Sequence, residues 1–386
     1  MGPSRTPTAW HVAAIDDLDT LAAWGPAWDD LALRTRPAQP TLSYTWVRAQ
    51  LEHLHPADTP WCVTFVSRGT RVVGVLPLRR DPNARGTGRW LPVLRSLADD
   101  HTPIAGPLLG EVDDPHHVLD LLVRAHFRHR PHPVSIVLEG LTAWSPSTIA
   151  LRGGLPPWRV QRFADVAEGS TVDARVPYAE HLAALSSNAR SQVRRAEKAI
   201  GRQGRLAFEI ERGDLRFTER FEAYKELEAS GWKGRAGTAL AHRPRDEAFF
   251  RTLYGRLAAA GQLYWHVLSC GDQTVAMEVV VRLGRRIVVH KVAYDEAWRT
   301  HSPGHVVWSR TLEAACSDPE LRTVDLLSYD ALADRWKAVP YPYDRVLVHR
   351  TGLVPLLFAH APSKVRATLR SWRELWRELW RARKDG

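Results

Sequence analysis

Three groups of residues have the types and spacing to do chemistry. The first is Ser302-Pro303-Gly304: a hydroxyl able to cap a helix, a proline suited to a first helical turn, and a flexible glycine. A strand that feeds such a loop and helix start leaves backbone N–H groups free. The helix dipole adds positive potential there, so the point suits a phosphate or pyrophosphate. An ordinary capped strand–loop–helix connection is the plainer reading of the same residues. The second group could move a proton: Glu228, His290, Asp295 and Asp330. Glu228 stands one helical turn before Trp232 and ahead of Lys233, where partial burial would raise a carboxylate's pKa; an exposed helix surface is the bland alternative. His290 falls in an apolar run, where a histidine is more often a satisfied interior residue, and Asp295 can simply cap a loop. The third group is Arg190, Arg194, Arg195 and Lys198, which recur at helical spacing and form one basic face, either solvated or docked against an anion.

Other chemistries lack support. No Ser-His-Asp or Cys-His constellation is spaced for nucleophilic catalysis. Cys62, Cys270 and Cys316 are far apart and odd in number, as in a reducing cytoplasm. No Cys/His spacing suggests a metal. The net charge of +10 favours an anionic partner: a phosphorylated co-substrate, RNA or an acidic membrane surface. Arginine is spread along the whole chain, which points to no single patch. No apolar run is long enough to span a membrane, and the first twenty residues lack the apolar core of an export signal.

The elements that must position these groups follow from periodicity. At 386 residues two domains are expected. The first half reads as helices over 16–36 (bent by Pro26) and 42–54, a hairpin over 61–67 and 71–80, a helix over 114–129, and strands at 134–138 and 158–163. Residues 165–175 read as a joining strand. Then follow a helical segment over 178–201, a strand at 205–212, and helices over 215–232 and 249–261. The runs 273–283 and 286–294 read as adjacent strands, and the loop 295–304 leads into a helix over about 305–315. A last central strand at 322–327 and an edge strand at 345–349 complete the reading. The hairpin sequence CVTFVSRGTRVVGVLPL is echoed by HVLSCGDQTVAMEVVV: each is a strand, a polar turn with glycine, and a strand.

The order LYWHVLSCGDQTVAMEVVV, RIVVHKVAYDEAWRTHSPGHVVWSRTLEAA and RTVDLL, with EASGWKGRAGTAL upstream, resembles the GNAT acyltransferase superfamily. It is most similar to the branch of CelD-like and BioF2-like acetyltransferase domains, related to the Fem aminoacyltransferases. The resemblance covers roughly 178–350 well and the first half loosely. It implies an α/β fold with mixed sheets: tandem GNAT-like domains, a degenerate one over 1–165 and an acyltransferase domain over 166–355. A basic amphipathic helix is expected over 356–386.

It also implies acyl-CoA, acetyl-CoA above all, as a co-substrate with no permanently bound cofactor. Backbone of Val292, Ala293 and Tyr294 would lie beside the donor, and Thr300, His301, Ser302, Gly304 and His305 would cradle its pyrophosphate. Glu228 becomes the candidate base and Tyr329 the proton donor to the leaving thiolate, with Asp330 beside it. Trp232, Lys233, His290, Asp295, Arg190 and Arg194 would face the acceptor. That acceptor is a small amine, sugar or glycan precursor. A Fem-like transfer from aminoacyl-tRNA and a non-catalytic GNAT-fold binding protein are the alternatives. Relatives carry a lysine after the last central strand, and the displaced Lys337 departs from that pattern. No DNA partner is expected. A cytoplasmic protein is expected, with membrane-peripheral contact or a homodimer through the terminal helix as options.

Overall fold

The computed structural model describes residues 9–56, 58–81, 92–129 and 132–350. The first half runs β1 (Trp10–Ile15), α1 (Leu18–Arg34), α2 (Tyr44–His53), β2 (Trp61–Arg68), β3 (Arg71–Arg80), β4 (Val93–Arg95), β5 (Leu108–Leu109), α3 (Pro115–Arg128), β6 (Ser135–Thr142), α4 (Pro146–Arg152) and β7 (Arg159–Asp173). The second half runs α5 (Tyr178–Ala184), α6 (Ser187–Gly201), β8 (Leu206–Arg212), α7 (Phe217–Ser230), α8 (Trp232–Arg235), α9 (Pro244–Ala259), β9 (Leu263–Cys270), β10 (Gln273–Leu283), β11 (Arg286–Tyr294), α10 (Pro303–Ser317), β12 (Thr323–Asp325), α11 (Ala331–Arg335) and β13 (Val339–His349). The helix expected over 356–386 lies outside the described residues.

All strands share one sheet in the order β1-β2-β3-β4-β6-β13-β7-β12-β11-β10-β9-β8, with β5 pairing β3 off that path. Read from either end, the pairings repeat: three antiparallel steps, one parallel step (β4 with β6, β11 with β12), then antiparallel steps to the centre. The chain is therefore a tandem repeat of one mixed α/β topology in which the halves exchange their last strands. β13 pairs β6 of the first half, and β7 pairs β12 of the second.

This exchange corrects two sequence expectations. The edge strand expected at 345–349 is the end of β13, which lies mid-sheet between β6 and β7. The two strands expected around 158–175 are one 15-residue strand, so a division at 165/166 falls inside β7. The helical segment expected over 178–201 is two helices broken at Leu185 and Ser186, where Ser186 caps α6 through the Ala189 amide.

Each half buries apolar side chains on both faces of its sheet. In the first, Trp28 and Leu31 of α1 pack on Phe65 and Val75, while Leu119 and Leu122 of α3 cover Val66 and Leu76. In the second, Phe221 of α7 and Phe249, Phe250 and Tyr254 of α9 cover Trp265 and Met277, and Trp46 of α2 joins that cluster from the first half. Val306, Val307 and Trp308 of α10 cover the opposite face. Burial on this scale, at about 25 cal/mol per Å² of apolar surface, is the main force holding the halves together.

A buried polar hub sits at the exchange. Asp325 pairs with Arg286, accepts from the Tyr341 hydroxyl at 2.8 Å and from the Leu327 amide at 2.8 Å, and Tyr343 donates to the Leu327 carbonyl at 3.0 Å. Leu327 is thereby held at φ 53°, a left-handed conformation unfavourable for a branched residue, and the chain turns sharply away after β12.

Candidate active site

That turn opens the site. Among the described residues, β11 pairs with β12 only from Arg286 to Val288, and from there to Tyr294 it keeps β10 on one side and no strand on the other. A bulge at His290, between the pairs Val279–Lys291 and Val280–Val289, adds to the divergence. The resulting cleft of about 390 Å³ is bounded by β11 (Lys291, Val292, Tyr294), the start of α10 (Gly304, His305) and Asp330 beyond β12. A second cavity of about 450 Å³ adjoins it through Ser302 and His305 and is lined by Arg195, Thr300, His301 and Arg335.

α10 begins two residues earlier than expected, with Pro303 in its first turn. The expected hydroxyl cap is not formed. Ser302 adopts a left-handed backbone (φ 52°) and its side chain makes no capping hydrogen bond, so the first-turn amides of α10 have no side-chain acceptor from that position. With Arg195 and Arg335 nearby, this end of the cleft carries positive potential.

The residues expected beside a donor lie around this opening. Val292 and Tyr294 line the cleft, and Thr300, His301, Ser302, Gly304 and His305 lie in one or both cavities. Ala293 turns its side chain into the core against the α7–α9 layer and offers only backbone.

The expected base behaves otherwise. Glu228 is buried rather than on an exposed helix surface, but its pKa is lowered. Burial raises it, and the Lys233 charge and hydrogen bond, the Leu240 amide and Lys291 together outweigh that effect. Its Oε1 accepts from Lys233 Nζ at 2.6 Å and its Oε2 from the Leu240 amide at 2.9 Å, so Glu228 is an ionised anchor for the chain after α7. Lys233 is spent on the same pair, and the Trp232 side chain lies outside the described residues.

His290 lines the cleft, but both its nitrogens are engaged. Nδ1 lies 2.8 Å from the Tyr254 hydroxyl and Nε2 3.1 Å from the His101 carbonyl. Burial, then the Lys291 charge, holds it well below the ordinary imidazole range. Asp295 caps the 3-10 turn that follows it, accepting from the Ala297 amide at 2.9 Å. Asp330 lines the cleft while capping α11 through the Leu332 and Ala333 amides. Tyr329 donates to Asp334 at 3.1 Å. Of the basic face, Arg190 is spent on the carbonyls of Ala183 and Leu185, Arg194 is exposed, and Arg195 reaches the second cavity.

Three groups escaped the sequence reading. Glu278 of β10 lines the cleft, fully buried; Thr311 of α10 donates to it at 2.5 Å, and His266 Nδ1 lies 2.7 Å from the Thr311 hydroxyl. Burial pushes Glu278 up to about 7 against the Thr311 hydrogen bond and pushes His266 down to about 3. The signal was a lone carboxylate in the otherwise apolar run VAMEVVV. Lys291 likewise follows an apolar stretch of its strand, and burial, then Lys233, lowers its pKa to about 8. His101, 190 residues away in sequence, meets Lys291 at 3.3 Å, and no sequence pattern announces that meeting.

A buried carboxyl that titrates near neutrality and a weakened lysine, both on a cleft running to a positively charged helix end, can exchange protons beside a bound phosphorylated donor. Residues 187–338 match the family model described as Acetyltransferase (GNAT) domain, so the second half carries an acyltransferase domain. No curated protein matches the chain. Among solved structures, FemX superposes with a TM-score of 0.59 at 11% identity, covering 86% of this chain and 96% of that one. A conserved protein of unknown function from Bacteroides thetaiotaomicron VPI-5482 superposes with a TM-score of 0.54 at 12% identity, covering 88% and 100%. At such identities the likeness is one of fold, and it extends across both halves.

Proposed function

We propose that this GNAT-type acyltransferase moves an acyl group from acyl-CoA, acetyl-CoA in the simplest case, to the amine or hydroxyl of a small amine, sugar or glycan precursor. The observation that carries the reading is the divergence of β11 from β12, which opens a cleft ending at the uncapped start of α10 and the Arg195–Arg335 cavity. The free edge of β11 from Val289 to Tyr294 offers backbone groups to the amides of a pantetheine arm. The Thr300–His305 segment and Arg195 suit the donor's phosphates.

Transfer from a thioester requires little more than alignment, donors for the carbonyl oxygen and removal of one proton. Glu278 and Asp330 face the cleft where the leaving sulfur would emerge, and Lys291 faces it from β11. In this reading Glu228 holds Lys233 and the Leu240 turn rather than taking the proton itself. A Fem-like aminoacyl-tRNA donor is the alternative that the charge of +10 would also suit.

Calorimetric titration with acetyl-CoA, and a thermal-shift panel adding longer acyl-CoAs and charged tRNA, separates the donors. Gly304→Glu should abolish acetyl-CoA binding, about 10³-fold or more and roughly 4 kcal/mol, because it puts a negative charge at the phosphate end of the cleft. A Cβ at Gly304 meets only the Tyr294 ring, at 3.7 Å, so the fold tolerates the change. Unchanged affinity in that variant sinks the assignment of the donor cleft.

A further inference from the structure

The repeat has a break in it. Counting along the hairpins from their turns, β4 followed by β5 occupies the place that β11 fills alone. Arg79 pairs Arg95 as Val281 pairs Val288, and Val75 pairs Leu108 as Met277 pairs Ala293. In the first half the strand leaves the sheet after Arg95 and returns at Leu108, and residues 96–107 form an excursion where β11 runs on unbroken. The tip of that excursion does not stay in its own half. His101 reaches the second half, where its Nδ1 lies 3.3 Å from Lys291 Nζ, its Nε2 3.4 Å from Asp246 Oδ2 of α9, and its carbonyl 3.1 Å from His290 Nε2.

The tip is held firmly. The His101 amide donates to Asp99 at 2.8 Å, Gln50 of α2 donates to Asp99 at 3.0 Å and to the Leu97 carbonyl at 2.8 Å, and the Trp46 indole donates to Thr102 at 2.9 Å. Asp99 and Thr102 close the turn by a backbone bridge, and the His101 ring lies edge-on to Phe250 at 4.9 Å. These contacts fix the ring with one nitrogen toward a carboxylate and the other toward an amine on the wall of the cleft.

We propose that Lys291 takes the proton from the acceptor, and that His101 of the first half, itself held by Asp246, is the positioning residue that orients it. This rests on the acyl-transfer reading above and deepens it: the first half completes the active site of the second. In the step, the acceptor's lone pair forms a bond to the thioester carbonyl carbon and the carbon–sulfur bond breaks with its electrons going to sulfur. The acceptor's proton passes to the neutral Lys291 amine, and the thiolate leaves to be protonated by solvent. Protonated Lys291 donates to His101 Nδ1, and His101 Nε2–H donates to Asp246, so the charge that forms is spread toward a carboxylate. The chemistry favours an acceptor that arrives as a neutral amine or a sugar hydroxyl and must lose one proton.

The surroundings suit a base. Lys291 is faced by Lys233 and Glu228 from the α7–α8 end, by Asp246 from α9, by Asp99 and His101 from the excursion and by His290 on its own strand. Its ammonium lies 4.7 Å from the centroid of the Phe250 ring. Burial and then Lys233 bring its pKa to about 8, against the pull of Glu228, Asp246 and Asp99, so a useful neutral fraction exists at physiological pH. His101 is lowered by burial and by Lys291, which keeps its Nδ1 free to accept.

The test needs no knowledge of the acceptor. In the full-length chain, trace labelling with acetic anhydride across pH, read by peptide mass spectrometry, gives the midpoint at which Lys291 becomes a free amine. The expected midpoint is near 8, about two units below an ordinary lysine. His101→Ala should lower it further, because the protonated amine loses its acceptor, and His101→Asn, whose carboxamide oxygen can accept the same hydrogen bond, should keep it near the wild-type value. Acetyl-CoA is then used as the probe without acceptor. Lys291 should be acetylated faster than the chain's other lysines above pH 8, and Gly304→Glu should remove that advantage. An ordinary lysine midpoint, or one that His101→Ala leaves unchanged, overturns the relay whatever the donor. Binding of acetyl-CoA without preferential acetylation of Lys291 also overturns it while leaving the donor reading intact. No binding of acetyl-CoA at all overturns the donor reading, and the anhydride midpoint still decides the relay on its own.

Discussion

The two halves share a topology and differ in three local choices, and those choices account for the site. At the parallel step both sheets pair over three residues, β4 with β6 and β11 with β12. In the second half the strands then part and leave a cleft. In the first, the excursion fills the same gap. Ile104 and Leu108 pack in the core there, and Gly140 (φ +66°) lies so close that a Cβ would sit 1.9 Å from the Pro103 carbonyl oxygen. The equivalent helices also begin differently: α3 is capped by the Asp114 carboxylate, whereas α10 begins behind Ser302 with no side-chain cap. Finally, counting from the hairpin turns, the pair His266–Glu278 occupies the place of Thr64–Leu76. One half supplies its own plug and its own anion, and the other leaves room for a ligand's. The fold alone therefore does not make the site.

The largest effect that sharpens this contrast comes from Glu278, since Leu76 shows that the position needs no charge. Folded, its carboxyl keeps a proton up to about 7; unfolded, it releases it near the ordinary value of 4.5. Between those values the folded chain binds more protons, so this group makes stability fall as pH rises. Glu278→Gln removes that dependence. Urea unfolding should give similar stability for the two proteins near pH 4.5, and an advantage to the variant that grows to roughly 3 kcal/mol by pH 8. Parallel curves across this range would show that Glu278 is ionised and solvated in the folded chain, and would remove it from the cleft's proton chemistry.

Sequence pattern captured the parts of this arrangement that are local. The 3.6-residue spacing of Leu21, Trp28 and Leu31, the cap at Ser43 and the turn at Gly271 are decided by near neighbours, and each element formed where expected. The strand–loop–helix segment from β11 to α10 was legible for the same reason, because its parts are consecutive in the chain. What escaped depends on distant partners. The exchange of β7 and β13 joins strands far apart in the chain, and the Asp325 hub beside it draws on positions 286–343. The pKa of Glu228 turned on Lys233 and the Leu240 turn rather than on burial alone, and His101 reaches Lys291 only because α2 pins the excursion. Periodicity carries no information about such meetings.

Arg195 gives a smaller effect and asks whether the basic face of α6 serves the cleft or only water. It lines the second cavity beside Thr300 and His301, while Arg190 on the same helix is used to hold the turn between α5 and α6. Arg195→Ala should weaken acetyl-CoA binding about tenfold, roughly 1.4 kcal/mol, at low salt, with a smaller penalty at about 0.5 M salt where exposed charges are screened. Its unfolding midpoint should not move, because the side chain is exposed and bridges no carboxylate among the described residues. Equal donor affinity in wild type and variant at low salt would return that face to solvent.

The smallest effect tests the first half alone. Asp114 Oδ1 accepts from the His117 amide at 2.9 Å, and Pro115 occupies the first turn of α3, so this helix end has its acceptor built in. Replacing a capping Asp by Ala costs about 1 kcal/mol, the value of one satisfied orphan amide plus the loss of a negative charge at the positive end of the helix. Asp114→Ala should therefore lower the unfolding free energy by that amount and leave acetyl-CoA affinity and the Lys291 labelling midpoint unchanged, since α3 lies behind the plugged gap. If the variant instead bound a second equivalent of acetyl-CoA, the carboxylate would have been a gate over a working site. The contrast between the halves would then rest on Asp114 and not on the excursion. A single binding equivalent with reduced stability leaves the excursion as the cause, because the gap it fills stays filled when the cap is gone.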